Sequence, residues 1–251
     1  MNEFDDHKNK ILITGVCGDI GSYIAQSFLE TNSFVIGIDI KKTPPLNIRN
    51  HKNFVFSSCD LTDPYKTEVN INSLFTKHGS ANVLINNVGL IYNSPIIQFI
   101  DGKLTNHNYE DWSKVLSTSL NSAFYVTTNC INHMIKNRIR GVVINISSIS
   151  AKGNIGQSAY SAAKGGMNSM TIAQAKELGP LGIRVGAISP GFIDTPSTHN
   201  AMKKETLNKI KSNIPLKRLG TLAELYHAIE FIIENQYFTG SVLELDGGLS
   251  I

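Results

Sequence analysis

Seven short apolar runs punctuate the chain, at 10–13, 34–38, 54–56, 83–85, 142–146, 183–188 and 241–245. Most are apolar at successive positions rather than at alternate ones. That pattern predicts strands buried on both faces, as in a parallel sheet. Between them, apolar residues recur with helical spacing over 20–29, 65–77, 110–137 (one long helix or two in series) and 222–234. A further helix is predicted to start near Tyr160 and to end around Gly179-Pro180, a C-terminal stop signal. The stretch 195–213 is polar with weak helical periodicity, and 90–107 reads as a long irregular segment with a turn at 99–103.

Strands alternating with helices predict one doubly wound domain over 1–251. It has a parallel sheet, right-handed crossovers and helices on both faces, a Rossmann-like three-layer α/β/α arrangement. No internal repeat or interdomain linker interrupts it. In such sheets the ligand lies outside the carboxyl ends of the strands, where the strand order reverses. Gly15, Asp39, Asp60, Asn87, Ser148 and Pro190 all fall at predicted carboxyl ends.

Two clusters there carry chemistry. After the first strand, Gly15, Gly18 and Gly21 form a turn that opens a helix. Glycines let the backbone approach a pyrophosphate, and the helix N-terminus offers it free N–H groups. Asp39 stands 18 residues past Gly21, at the end of the second strand. A carboxylate there accepts from ribose hydroxyls and repels a 2′-phosphate, which favours NAD(H) over NADP(H). The second cluster is Ser147-Ser148 with Tyr160 and Lys164. Residues four apart share a helix face, so Tyr160 and Lys164 point the same way. An ammonium beside a phenol favours phenolate. A serine hydroxyl nearby can steady a substrate oxygen while the phenol moves a proton. A Tyr-x-x-x-Lys spacing alone is common by chance, so its weight comes from its place beside the glycine turn.

Composition narrows the rest. Hydrophobic residues make up 41% and charged residues 17%, and the net charge is +3. Lysines and arginines are scattered, which argues against nucleic acid. Cys17, Cys59 and Cys130 are far apart and in no metal spacing. No metal site is expected. The first ten residues are polar and acidic, and no apolar run reaches membrane-spanning length, so the expectation is a cytoplasmic protein without a membrane partner.

Taken in order, these motifs resemble the short-chain dehydrogenase/reductase family in its single-domain branch, near the 3-oxoacyl carrier-protein reductases. Thr14-Gly15-Val16-Cys17-Gly18-Asp19-Ile20-Gly21 is similar to the family's glycine turn. Asp60-Leu61, Asn87-Val88-Gly89, Asn145-Ile146-Ser147-Ser148, Tyr160 with Lys164, Pro190-Gly191-Phe192-Ile193-Asp194-Thr195 and Asp246-Gly247-Gly248 follow in the family's sequence. The resemblance implies that Gly15, Gly18, Asp19, Ile20 and Gly21 hold the pyrophosphate. Asp39, Asp60, Leu61, Asn87, Val88 and Gly89 then lie along the adenosine side. Pro190, Gly191, Ile193 and Thr195 lie at the nicotinamide, with Tyr160 and Lys164. It makes Tyr160 the general acid/base, Lys164 the group that lowers its pKa, and Ser148 the substrate-orienting hydroxyl, with Ser147 its competitor.

Three residues depart from the family pattern. Asp19 replaces a middle glycine, Val88 replaces an alanine, and Ser119 stands where a relay asparagine usually sits, with Asn121 two residues on. The implied activity is hydride transfer between nicotinamide and a secondary alcohol or ketone. The substrate would be a 3-oxoacyl thioester, a sugar or another small ketone, and the assembly a homodimer or homotetramer. The alternative is a dinucleotide-binding sensor or scaffold of low turnover, motivated by Asp19 and Ser119.

Overall fold

In the computed structural model, which describes residues 8–250, each of the seven apolar runs contributes a strand. The acidic residues of the N-terminal stretch and Ile251 of the apolar tail lie outside the described residues. The strands are β1 (Lys10–Thr14), β2 (Phe34–Asp39), β3 (Phe54–Ser58), β4 (Val83–Asn86), a separate hairpin β5 (Ile97–Ile100) and β6 (Lys103–Asn106), then β7 (Val142–Ile146), β8 (Arg184–Pro190) and β9 (Val242–Leu245). The helices are α1 (Asp19–Glu30), α2 (Leu46–Arg49), α3 (Pro64–His78), α4 (Tyr109–Leu116), α5 (Ser122–Lys136), α6 (Ser158–Leu178), α7 (Pro196–Ala201), α8 (Lys204–Asn213) and α9 (Leu222–Glu234).

The main sheet runs β3-β2-β1-β4-β7-β8-β9, parallel throughout. Its two faces explain the unbroken apolar runs. Ile11 and Ile13 pack with Ile24 and Phe28 of α1 and with Leu225 and Ile229 of α9. Leu12, between them, packs with Ile71 and Phe75 of α3 and with Val126 and Cys130 of α5. Neither face reaches water, so successive positions are apolar. Fully burying one such side chain is worth about 2 kcal/mol.

A buried polar chain fastens the middle of the sheet. Asn86 donates to Asn145 Oδ1 (2.8 Å) and to Thr127 Oγ1 (2.9 Å), and Asn145 donates to Thr171 Oγ1 (2.9 Å). It ties β4 and β7 to α5 and α6 just below their carboxyl ends. The strand order reverses between β1 and β4, and a crevice opens above that point.

Four segments carry structure that the sequence reading did not specify. The stretch 90–107 contains an antiparallel hairpin, with Phe99 opposite Leu104 and Ile100 opposite Lys103. Its two-residue turn, Asp101-Gly102, has φ of 50° and 78°. That left-handed pair is the turn that matches strand twist. The helical run 110–137 is broken by a π turn at Ser117–Asn121. The weakly periodic 195–213 holds two helices, α7 and α8, and the connection from β2 to β3, with Pro44 and Pro45, holds the short α2. Among the described residues, no helix is long and apolar enough to cross a membrane.

Candidate active site

A cavity of about 410 Å³ occupies the crevice. Its floor is the turn between β1 and α1. Gly15 adopts φ +67° and donates to Ile38 O at 2.8 Å. A Cβ at Gly21 would lie 2.2 Å from Gly15 O, so only glycine lets α1 come this close to the turn. Gly18 is the N-cap of α1 and supplies no side-chain cap, which leaves the first-turn amides without one. Gly15, Gly18, Asp19 and Ile20 line the cavity, whereas Gly21 packs behind it. An uncapped helix N-terminus under a glycine turn fits the pyrophosphate of a dinucleotide.

The ends of β2, β3 and β4 form the next wall. Asp39 is buried to 8% exposure, and its two carboxylate oxygens accept from Cys17 N (2.9 Å) and Lys41 N (3.0 Å). Asp60, Leu61, Asn87, Val88 and Gly89 also face the cavity. Asp60 accepts from the amide and hydroxyl of Thr62. Asn87 donates to the carbonyls of Thr14 and Gly15 at 3.2 Å, locking β4 to the glycine turn. Val88 fits without displacing that turn: its amide donates to Thr14 Oγ1 (3.3 Å), and its side chain packs beside the core.

From the far side, Thr195 reaches the cavity, while Pro190, Gly191 and Ile193 do not. Gly191 instead packs against Asp246, which a Cβ would approach to 2.9 Å. Ile193 is buried and bridges to Gly220. Lys41, close to Asp39 in the sequence, lines the cavity, and so do Thr118, Ser122 and Ser197, which no sequence signal singled out as site residues. Serine and threonine on polar stretches carry no pattern of their own.

Ser148, Tyr160 and Lys164 come together above β7. Ser148 caps the 3₁₀ turn Ile149–Lys152, accepting from Ser150 N at 3.1 Å, and its side chain lies beside the Tyr160 phenol and works to lower its pKa. Ser147 points elsewhere, with its hydroxyl 3.4 Å from Lys164 O in the α6 backbone. Tyr160 is buried against Val115, Ala159, Leu90 and Tyr92.

The electrostatics differ from the expectation that Lys164 lowers the phenol pKa. Burial raises the Tyr160 pKa, and only the Ser148 side chain works against it. Lys164 Nζ lies 5.7 Å from the phenol ring centroid and gives its hydrogen bond to Ile146 O at 2.7 Å. Its own pKa is lowered from 10.5 to about 8 by burial, at 2% exposure. Burial pushes both groups toward their neutral forms.

Behind Lys164, a Cβ on Gly89 would lie 3.4 Å from Lys164 Nζ and 3.9 Å from Ser119 Oγ, so both groups face the same glycine. Ser119 is fully buried in the π turn and accepts from Leu90 N at 2.9 Å. Asn121, at the other end of the π turn, is only partly buried.

A doubly wound sheet with a crevice where its strand order reverses, and a serine, tyrosine and lysine near its edge, fits the class of Rossmann-fold oxidoreductases. Comparison with known proteins gives the particular family. A family model described as enoyl-(acyl carrier protein) reductase matches residues 15–250. The chain is 37% identical over 248 residues to a 3-oxoacyl-[acyl-carrier-protein] reductase, FabG, of Buchnera aphidicola, covering 96% of this chain and 97% of that protein. It is 31% identical over 247 residues to the human 3-hydroxyacyl-CoA dehydrogenase type-2, covering 95% and 94%. The solved structure of ligand-free Thermoplasma acidophilum aldohexose dehydrogenase superposes with a TM-score of 0.84 at 26% identity, covering 98% and 96%. The chain belongs to the short-chain dehydrogenase/reductase family.

Proposed function

We propose that this protein is an NAD(H)-dependent oxidoreductase that interconverts a ketone and a secondary alcohol. The observation that carries the reading is the grouping of Ser148 with the buried Tyr160 phenol, one helical turn from the buried Lys164. A bound nicotinamide dinucleotide supplies the hydride. Tyr160 gives a proton to the substrate oxygen in reduction and takes it back in oxidation. A phenol whose pKa is raised by burial holds its proton at neutral pH, which suits the reductive direction. Ser148 donates to the same oxygen and orients it. Lys164 supports the cofactor end and, when charged, stabilises the phenolate.

Asp39 supports NAD(H) as the cofactor, because a 2′-phosphate placed on that wall would face its carboxylate. The names of the FabG and human relatives share 3-oxoacyl and 3-hydroxyacyl chemistry, which supports a thioester of that class as substrate. The homodimer or homotetramer implied by the resemblance has a candidate face on α5 and α6, where Phe124, Ile135 and Ile172 are exposed.

The test is a panel of 3-oxoacyl thioesters, sugars and simple ketones with NADH and NADPH side by side, on wild type and Tyr160→Phe. Loss of the proton donor is expected to cut turnover by about a thousandfold while leaving dinucleotide binding intact. Equal turnover in the variant removes Tyr160 as the acid. Dinucleotide binding by wild type without turnover of any substrate favours the sensor.

A further inference from the structure

Asp19 is the residue at which this chain departs most sharply from its family's glycine turn, and its carboxylate has a partner far along the chain. One oxygen accepts from Ser197 N at 2.8 Å, across 178 positions of sequence. The side chain and amide of Ser197 and the side chain of Thr195 lower the pKa of this carboxyl and favour its charged form. The two ends of this contact belong to opposite walls of one cavity. Gly18, Asp19 and Ile20 form the floor under the pyrophosphate position, and Thr195 and Ser197 form the facing wall.

The same contact anchors the start of α7. Thr195 caps this helix, with its hydroxyl accepting from Thr198 N (3.1 Å), and Thr198 Oγ1 donates to Ile193 O (2.8 Å). Beyond α7, helix α8 packs into a small core of its own, formed by Leu207, Ile214 and Leu219 with Phe192, Met202 and Ile210. That core is separate from the two on the faces of the sheet. The α7–α8 lobe thus has its own packing, and Asp19 joins its first turn to the cofactor turn.

We propose that Asp19 is a positioning residue whose carboxylate clasps the segment 195–197 across the mouth of the dinucleotide cavity, slowing cofactor release and seating the α7–α8 lobe over the substrate end. The inference rests on the proposed dinucleotide-dependent function. It is opposed by a simple electrostatic expectation. A carboxylate beside a pyrophosphate repels it, so removing Asp19 would tighten binding if the clasp contributed nothing. The two ideas predict opposite signs.

The experiment uses the full chain and three variants: Asp19→Ala, Asp19→Gly and Asp19→Asn. Release of NADH, or of NADPH if that is the form wild type binds, is followed by stopped-flow fluorescence after mixing with excess oxidised cofactor. Losing one partly exposed charge-assisted hydrogen bond is expected to raise the release rate about fivefold in the alanine and glycine variants. Asparagine keeps an acceptor for Ser197 N and is expected to restore slow release. In steady state the alanine variant is expected to show a raised KM for the ketone substrate that asparagine reverses, a pattern that general destabilisation does not produce. The inference is overturned if the alanine variant releases cofactor at the wild-type rate or more slowly, or if asparagine behaves like alanine. Failure of wild type to bind either dinucleotide removes the proposed function, and this inference with it. Binding by wild type with unchanged release in the variants removes the clasp alone.

Discussion

Replacing Lys164 by methionine separates the residue's burden on the fold from its service to the site. The side chain is 2% exposed, and burial lowers its pKa from 10.5 to about 8. That fall corresponds to roughly 3 kcal/mol between the charged and neutral forms. Because the folded-state pKa lies below the unfolded one, the unfolded chain binds more protons between pH 8 and 10.5. Stability contributed by this group therefore rises with pH across that window, and the native state bears the full penalty below it. Methionine matches the length of the stem and carries no charge. It also deletes the 2.7 Å hydrogen bond to Ile146 O, and leaving that buried carbonyl unpaired costs about 1–2 kcal/mol.

At pH 7 the variant is expected to be about 1–2 kcal/mol more stable than wild type. Near pH 10.5 it is expected to be less stable by about the same amount. Urea unfolding of both proteins from pH 7 to 10.5 measures the difference directly. Burial raises the pKa values of Cys17, Cys59 and Cys130, which lowers stability as pH rises through the ordinary thiol range. The thiols act in both proteins and cancel in the difference. A stability difference constant to about 0.5 kcal/mol across the range would refute the reasoning, as would a trend of opposite sign. Turnover is expected to be lost at every pH.

Ser148→Ala is expected to reduce turnover about a hundredfold at unchanged dinucleotide affinity, and Ser147→Ala to reduce it much less, because Ser148 acts on the phenol whereas the Ser147 hydroxyl turns to Lys164 O. Steady-state rates with the best panel substrate decide this, and equal effects would sink the distinction. Gly21→Ala places a methyl group 2.2 Å from Gly15 O, so α1 must move away from the glycine turn. The expected outcome is a loss of about 2–3 kcal/mol in stability and at least tenfold in dinucleotide affinity. Urea unfolding and fluorescence titration check the two, and wild-type affinity in a folded variant would contradict the proposed cradle.

Much of the fold was legible because a parallel sheet covered on both faces forces unbroken apolar runs. Leu12 and its neighbours Ile11 and Ile13 face opposite layers, and all three are fully buried. Spacing alone also put Gly15, Asp39 and Asn87 at strand ends that converge on one cavity. The hairpin at 97–106 escaped because its strands bury almost nothing and alternate weakly, although Asp101-Gly102 was a turn signal in plain view. The π turn at Ser117–Asn121 has no sequence signature, because one extra residue in a helical turn leaves the apolar spacing nearly unchanged.

The chain by itself determined which side chains stand at the carboxyl ends of the strands, since periodicity is a local property and strand ends derive from it. Tertiary structure decided what those side chains do there. It turned Ser148 toward Tyr160 and Ser147 toward the α6 backbone, because neighbouring side chains on extended chain point to opposite sides. It buried Lys164 deeply enough to bring its pKa to about 8, which depends on everything packed around it. It also carried Asp19 to Ser197 across 178 residues, a contact that exists only because β1 and β8 bring the loops at their carboxyl ends to opposite walls of the same cavity.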